Sequence, residues 1–197
     1  LSSTNRTNAK ERNASDYYVT PINVVELFLK EFLKRQSFLF NLDACDPCAG
    51  GDEMNEMSYP TVMNKFKQEF QSVYTIDIRE DSKAFIKEDF LEMKHMKDRF
   101  DMFITNPPFN LSQKIIEKCL EDVKEKGYVI MLLRLNFLGG QKRKAFFEKY
   151  KPSEIYVHSK RISFLKDEKG RGITDSIEYA HFVWEKKETK ETRLYII

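Results

Sequence analysis

Met102-Phe103-Ile104-Thr105-Asn106-Pro107-Pro108-Phe109 is the stretch on which the reading of this chain turns. Its first four residues form a short apolar run of the kind that makes a buried strand. The prolines then end that strand, because neither has an N–H to extend a sheet and both hold the backbone stiffly. In open α/β sheets ligands bind beyond the carboxyl ends of strands, so Asn106 to Phe109 stand where chemistry happens. A carbonyl on so stiff a backbone is aimed. The side-chain oxygen of Asn106 and the main-chain carbonyl of Pro107 can together accept both hydrogens of one planar amino group. Phe109 can then lie against the ring that bears it. A β-turn with a capping Asn and a core Phe would use the same four residues, so the rest of the chain has to decide.

Working outward, other segments repeat the pattern of strand followed by helix. Phe38 to Cys45 is an apolar run that stops at Asp46-Pro47, with Gly50-Gly51 close behind, and reads as a buried strand ending in a glycine loop. Val73 to Ile78 and Tyr128 to Leu135 read as further strands. Thr20-Pro21 has the form of an N-cap followed by proline at the first helical position. Behind it Val25, Phe28, Leu29 and Phe32 recur at helical spacing, which predicts a helix to about Arg35. Thr61 to Phe70 and Ser112 to Lys126 are also helical in character, the latter with Ile115, Ile116, Cys119, Leu120 and Val123 on one face. Ile155 to His158 and Tyr179 to Trp184 are β-prone, and the stretch between them carries Gly170 and Gly172. The fold expected is α/β and Rossmann-like: a mostly parallel central sheet, helices on both faces, and an antiparallel C-terminal hairpin. Residues 1 to 15 are polar and aperiodic and read as a mobile arm, with residues 16 to 197 forming one domain.

Bulk properties agree and narrow the field. The 197 residues are 41% hydrophobic and 13% aromatic, a folding composition with enough chain for one α/β core. Lys and Arg number 33 against 31 Asp and Glu, so nucleic-acid binding cannot be argued from a net charge of +2 and would need local patches. The longest purely apolar stretch, Val129 to Leu133, falls far short of the ~20 residues that span a bilayer. No signal peptide is evident, and three cysteines suit a reducing compartment, so a cytoplasmic location and no membrane are expected. Cys45 and Cys48 form a C-x-x-C without a second ligand pair, and no metal is expected.

Further residues carry chemistry. Asp43 to Gly51 turns sharply through small residues, which lets a ligand approach the backbone closely and suits the amino-acid part of a cofactor. Asp77 ends a strand where an acid is placed to bond ribose hydroxyls. Glu88-Asp89-Phe90-Leu91 offers an acceptor for an adenine amine beside an aromatic able to cover the ring. Either acid would read equally well as a solvated surface charge.

Taken together, these pieces resemble the class I methyltransferases, and within them the amino-methyltransferases of nucleic acids. The resemblance covers Asp16 to Phe109 well and the remainder to Trp184 more loosely. It implies S-adenosylmethionine as cofactor. It implies cofactor contacts from Tyr18 and Thr20-Pro21, from Asp46, Pro47, Cys48 and Gly50, from Asp77, and from Asp89 and Phe90. It implies catalysis by Asn106, Pro107, Pro108 and Phe109. The order of segments is similar to that of gamma-type DNA adenine methyltransferases. The small phage-borne members are nearest, including Arg161-Ile162-Ser163-Phe164 and Thr174-Asp175-Ser176, and imply a bacterial or phage-infected cell. The expected reaction is methyl transfer to the exocyclic N6 amine of adenine, in DNA before RNA.

The chain departs from that pattern in places. Asp52 follows Gly50-Gly51 where many relatives have a further glycine, and Cys48 stands where a bulkier residue is frequent. The chain also has no room for a separate target-recognition domain. Recognition would fall to the arm, to loops 51 to 60 and 164 to 173, or to a partner subunit or second copy. A flipped adenine would cost a few kcal/mol, offset by stacking on Phe109 and Phe164. Lys142, Arg143, Lys144, Lys149 and Lys151, interleaved with Phe146, Phe147 and Tyr150, form the best basic patch and read first as a solvated helix face. The tetrapeptide alone also fits enzymes acting on an amine in RNA (adenine N6 or guanine N2) or on a protein glutamine, and a silent nucleic-acid-binding scaffold. A dinucleotide dehydrogenase is disfavoured by the absence of G-x-G-x-x-G.

Overall fold

The computed structural model describes residues 18–36, 39–166, 172–173, 176–187 and 191–197. In chain order they form α1 (Ile22–Arg35), β1 (Leu42–Asp46), α2 (Ser58–Met63), β2 (Phe70–Asp77), β3 (Ile86–Lys87), β4 (Met102–Thr105), α3 (Ser112–Asp122), β5 (Tyr128–Arg134), α4 (Lys144–Lys149), β6 (Glu154–Val157), β7 (Leu165–Lys166), β8 (Gly172–Ile173), β9 (Tyr179–Glu185) and β10 (Arg193–Ile196). Eight of the strands make one sheet in the order β10-β6-β9-β5-β4-β1-β2-β3, and β7 pairs with β8 apart from it. From β3 to β5 all neighbours run parallel. β9 lies antiparallel to both β5 and β6, which is the expected C-terminal antiparallel pairing, joined by a connection longer than a tight hairpin turn.

Strand alternation builds a core on each face. Met102 and Ile104 of β4 pack with Val25, Phe28, Leu29 and Phe32 of α1 and Val62 and Met63 of α2. Phe103, pointing the other way, joins Ile115, Ile116, Cys119 and Val123 on and just beyond α3. The apolar stripe of α1 is fully buried, and each of its large side chains contributes about 1.5–3 kcal/mol of transfer free energy. The chain runs outward from β1 through β2 to β3, then crosses to place β4 on the other side of β1. That reversal between β1 and β4 is the switch point where an α/β sheet opens a crevice. Asp46 and Asn106 stand at the carboxyl ends of these two strands.

Several boundaries differ from expectation. Thr20 does not cap α1; the helix begins at Ile22 after Pro21, with no side-chain cap. The Thr20 hydroxyl is instead recruited by Asn106, as described below. β1 starts at Leu42, because Asn41 adopts a left-handed turn (φ 57°) just before it. α2 ends at Met63, and Phe70, which completes an apparent helical stripe in the sequence, enters β2 instead. α3 stops at Asp122, four residues before the left-handed turn at Lys126 (φ 64°). The polar arm of residues 1 to 15, Asp16, Gly170 and Thr174-Asp175 lie outside the described residues, as does half of loop 164 to 173. Among the described residues no helix is long and apolar enough to cross a membrane.

Candidate active site

One cavity opens at the switch point, and the residues singled out from sequence converge on it. Tyr18, Thr20, Asp46, Pro47, Cys48, Asp77, Asp89, Phe90, Asn106, Pro107, Pro108 and Phe109 all line its wall. Gly50 stands behind the wall, where its N–H donates to Asp77 Oδ2 at 2.8 Å.

The half of the cavity formed by β1 and β2 is internally bonded. The second oxygen of Asp77 accepts from the Arg79 amide at 2.9 Å, and the Arg79 guanidinium donates to the Gly51 carbonyl at 2.8 Å. Asp46 accepts from the Cys48 amide at 3.2 Å. Gly50 and Gly51 both take left-handed backbone (φ 64° and 75°), which other residues adopt only with strain. A Cβ on Gly51 would also come within 2.9 Å of Met57 Cγ. Complete burial pushes the Asp46 carboxyl up to about 7, and the nearby Asp77 charge acts in the same direction, against the hydrogen bond from Cys48. Asp89 accepts from the Leu91 amide at 2.9 Å and so caps the short turn Phe90–Glu92. Phe90 is a floor more than a cover: it is almost fully buried, 5.7 Å from Phe103 between ring centroids, with Lys118 Nζ 5.2 Å from its own centroid.

The half formed by β4 is different. Asn106 Nδ2 donates to Thr20 Oγ1 at 3.1 Å and leans toward the Tyr18 carbonyl at 3.5 Å. A carbonyl can only accept, so this contact fixes which end of the amide faces the N-terminal segment. Asn106 Oδ1 is left buried with no partner. The Pro108 carbonyl accepts from the Leu111 amide at 3.0 Å and the Phe109 carbonyl from Ser112 Oγ at 2.8 Å, while among the described residues no loop hydrogen bond closes on the Pro107 carbonyl. Asn106 Oδ1 and the Pro107 carbonyl are thus two acceptors left open on one rigid turn. A buried acceptor such as Asn106 Oδ1 normally has a partner, and its lack of one is a sign that the partner arrives with a ligand.

Chains of this shape are found among solved structures. No protein-family model matches the sequence, and no curated protein matches it. A candidate class I S-adenosylmethionine-dependent methyltransferase from Listeria monocytogenes superposes with a TM-score of 0.61 at 16% identity, over 91% of this chain and 65% of the other. The fold is that of the class I methyltransferases. A candidate RNA methyltransferase from Pyrococcus horikoshii superposes with a TM-score of 0.60 at 17% identity, over 88% of both chains. The modification subunit of a candidate type I restriction enzyme from Vibrio vulnificus gives 0.61 at 14% identity, over 92% of this chain and 47% of the other. This chain therefore spans about two thirds of the Listeria protein and less than half of the Vibrio one.

The methyltransferase fold of this chain also brings in residues that the sequence did not flag. Ser58 ties the N-terminal segment to α2 by donating to the Thr20 carbonyl at 2.6 Å. Tyr59, on the cavity wall, shares a hydrogen bond with buried His181 (2.9 Å), which shares another with His158 (2.8 Å). Burial pushes His158 down to about 4 and His181 well below its usual value, so both rings are neutral. Arg134, at the end of β5, lies over the Phe109 ring with Cζ 4.4 Å from its centroid. Its one legible signal was a charge closing an otherwise apolar strand, at the position that faces Tyr179 of β9. The basic patch, by contrast, does not line the cavity. Phe146 is buried against Trp184, Arg143 caps the carbonyls of Asn136, Phe137 and Gly139, and Lys144 pairs with Glu148 at 3.8 Å. Phe164 packs on Tyr18 and Tyr179 (centroids 6.2 and 5.0 Å) at the mouth of a second groove adjoining the first.

Proposed function

We propose that this chain is an S-adenosylmethionine-dependent methyltransferase acting on the exocyclic N6 amine of adenine, in DNA. The observation that carries the reading is the open pair of acceptors at Asn106 and Pro107, on a turn whose next two carbonyls, of Pro108 and Phe109, are closed.

The residues of the β1–β2 half fit the cofactor. Asp77 offers a carboxylate for ribose hydroxyls at the tip of β2, buried and anchored by two backbone amides. Asp46 and the small residues after it suit the aminocarboxyl end, where a buried acid would gain an ammonium partner. Asp89 would accept from the adenine amine, with Phe90 and Leu91 against the ring. Bound there, the cofactor supplies an electrophilic methyl group on sulfur.

Everything else falls to the chain. An aromatic amine is a poor nucleophile because its lone pair is delocalised into the ring. Asn106 Oδ1 and the Pro107 carbonyl accept its two hydrogens, favour a pyramidal nitrogen and stabilise the positive charge that grows on it. Thr20 holds Asn106 by its other end, so the acceptor does not have to be ordered during the reaction. Phe109 presents a ring face for the target base. The proton released by the methylated amine goes to water, and no strong general base is needed.

A second reading, an amine in RNA, is supported by the Pyrococcus structure, which matches along 88% of both chains. The test is transfer of label from tritiated S-adenosylmethionine to unmethylated DNA, with RNA and protein extract in parallel. Label recovered as N6-methyladenine from DNA is the expected result. Label in RNA or protein alone would move the substrate, and no label anywhere would overturn the activity.

A further inference from the structure

Arg134 is an anomaly in a site built for a cationic reaction. Among the described residues its guanidinium takes part in no ion pair and no hydrogen bond; it has only the Phe109 ring, and its Nε is buried without a partner. Other arginines at this end of the sheet have a carboxylate partner. Arg79 lies against Asp77 (3.4 Å) and Arg161 against Glu178 (3.7 Å). A buried donor left empty is costly, and a chain tolerates it where a ligand later fills it.

The sign of the charge says what that ligand is. On the reading proposed above, positive charge grows on the target nitrogen beside Phe109. A bare guanidinium on the same ring opposes that growth, so Arg134 does not stabilise the reacting centre. An anion that arrives with the substrate would satisfy the donors and cancel the opposing charge together. Planar guanidinium donors match phosphate oxygens two at a time, and the Phe109 face holds the plane in place. We propose that Arg134 binds the phosphodiester adjoining the target nucleotide, through the edge of its guanidinium, while its face stays on Phe109. The residue that stacks the base and the residue that fixes its backbone then move as one unit. This makes Arg134 a binding residue that supplies the anion contact missing from the net charge of +2. The inference rests on a nucleic-acid substrate, but not on which amine is methylated.

The test is a cycle between protein and ligand. Binding of fluorescein-labelled single-stranded oligothymidine, which offers no exocyclic amine, is measured by anisotropy against salt for wild type, Arg134→Gln and Arg134→Lys. Arg134→Gln should weaken binding on the order of tenfold and reduce the log–log salt slope by about 0.7, the share of one phosphate on a single strand. Arg134→Lys should keep the slope. In methyl transfer to an oligonucleotide with one adenine, a neutral methylphosphonate next to that adenine should raise KM for wild type and leave KM of Arg134→Gln unmoved. An unchanged slope in Arg134→Gln, equal sensitivity of both proteins to the methylphosphonate, or no oligonucleotide binding would overturn the proposal. Arg134-dependent binding with no adenine methylated would uphold it and overturn the adenine reading instead. Because the methylphosphonate changes the ligand, the wild-type arm stands even where a variant folds poorly.

Discussion

The two halves of the cavity are made from the same kind of strand end, yet they are finished differently. At the tips of β1 and β2 the polar groups bond to one another: Asp77 holds the Gly50 and Arg79 amides, and Arg79 holds the Gly51 carbonyl. At the tips of β4 and β5, Asn106 Oδ1 and Arg134 Nε are buried without a hydrogen-bond partner among the described residues. The first half is a preformed cradle, whose shape depends on the chain alone. The second is a set of open valences on stiff supports, whose completion depends on what enters. On our reading the cofactor half is selected for rigidity and the target half for unmet demand.

The largest effect should come from closing that demand. Asn106→Ala removes the acceptor proposed to act on the developing charge, and should lower kcat by about 10²–10³-fold in single-turnover methyl transfer. Asn106→Asp keeps an acceptor and loses the donor to Thr20, so it should fall between the two. Equal losses in both variants would show that the anchoring bond, rather than the acceptor, is what matters.

A second effect belongs to the cradle and follows pH. Folded Asp46 titrates at about 7, well above an ordinary carboxylate, because of its burial. A cation binds only its ionised form, so cofactor affinity should fall by about tenfold per pH unit below 7 and level off above it. Calorimetric titration from pH 5.5 to 8.5 reads this directly, and Asp46→Asn should bind weakly with a flat profile. Stability has the opposite sign. Between about pH 4 and 7 the unfolded chain gives up this proton while the folded chain keeps it, so the fold loses stability as pH rises through that window. Asp46→Asn should therefore melt higher than wild type at pH 8, and a lower melting temperature would contradict the burial argument.

The smallest effect is steric. Gly51→Ala puts a side chain on left-handed backbone and a Cβ 2.9 Å from Met57. It should destabilise the loop by about 1–2 kcal/mol, read as a modest fall in melting temperature with weaker cofactor binding. Gly139→Ala, where the nearest atom is 3.6 Å away and the backbone is extended, is the control that should do neither.

The same contrast explains what the sequence disclosed. Both halves were legible as motifs, since Asp46-Pro47 with Gly50-Gly51 and Asn106 to Phe109 are local stretches whose backbone chemistry is unusual. The buried face of α1 was legible because helical spacing is local too. What escaped was made by partners distant in the chain. β3 has two residues and exists only by pairing with β2, and β10 carries mixed Arg193-Leu194-Tyr195-Ile196 that becomes a strand by lying on β6. Tyr59, His181 and His158 meet only after α2, β9 and the residue following β6 are assembled. Thr20 looked like a helix cap because its sequence neighbours allow it. Its actual partner, Asn106, lies 86 residues away.

The most direct test of the division is a side-by-side titration of S-adenosylmethionine into Asp77→Ala and Asn106→Ala. Asp77 braces the cradle and on the proposed reading faces the ribose, so its loss should weaken cofactor binding by on the order of tenfold or more. Asn106→Ala should bind the cofactor within about twofold of wild type, because on the proposed reading its open oxygen serves the target amine and not the cofactor. The reverse pattern, tight binding by Asp77→Ala and lost binding by Asn106→Ala, would contradict the account.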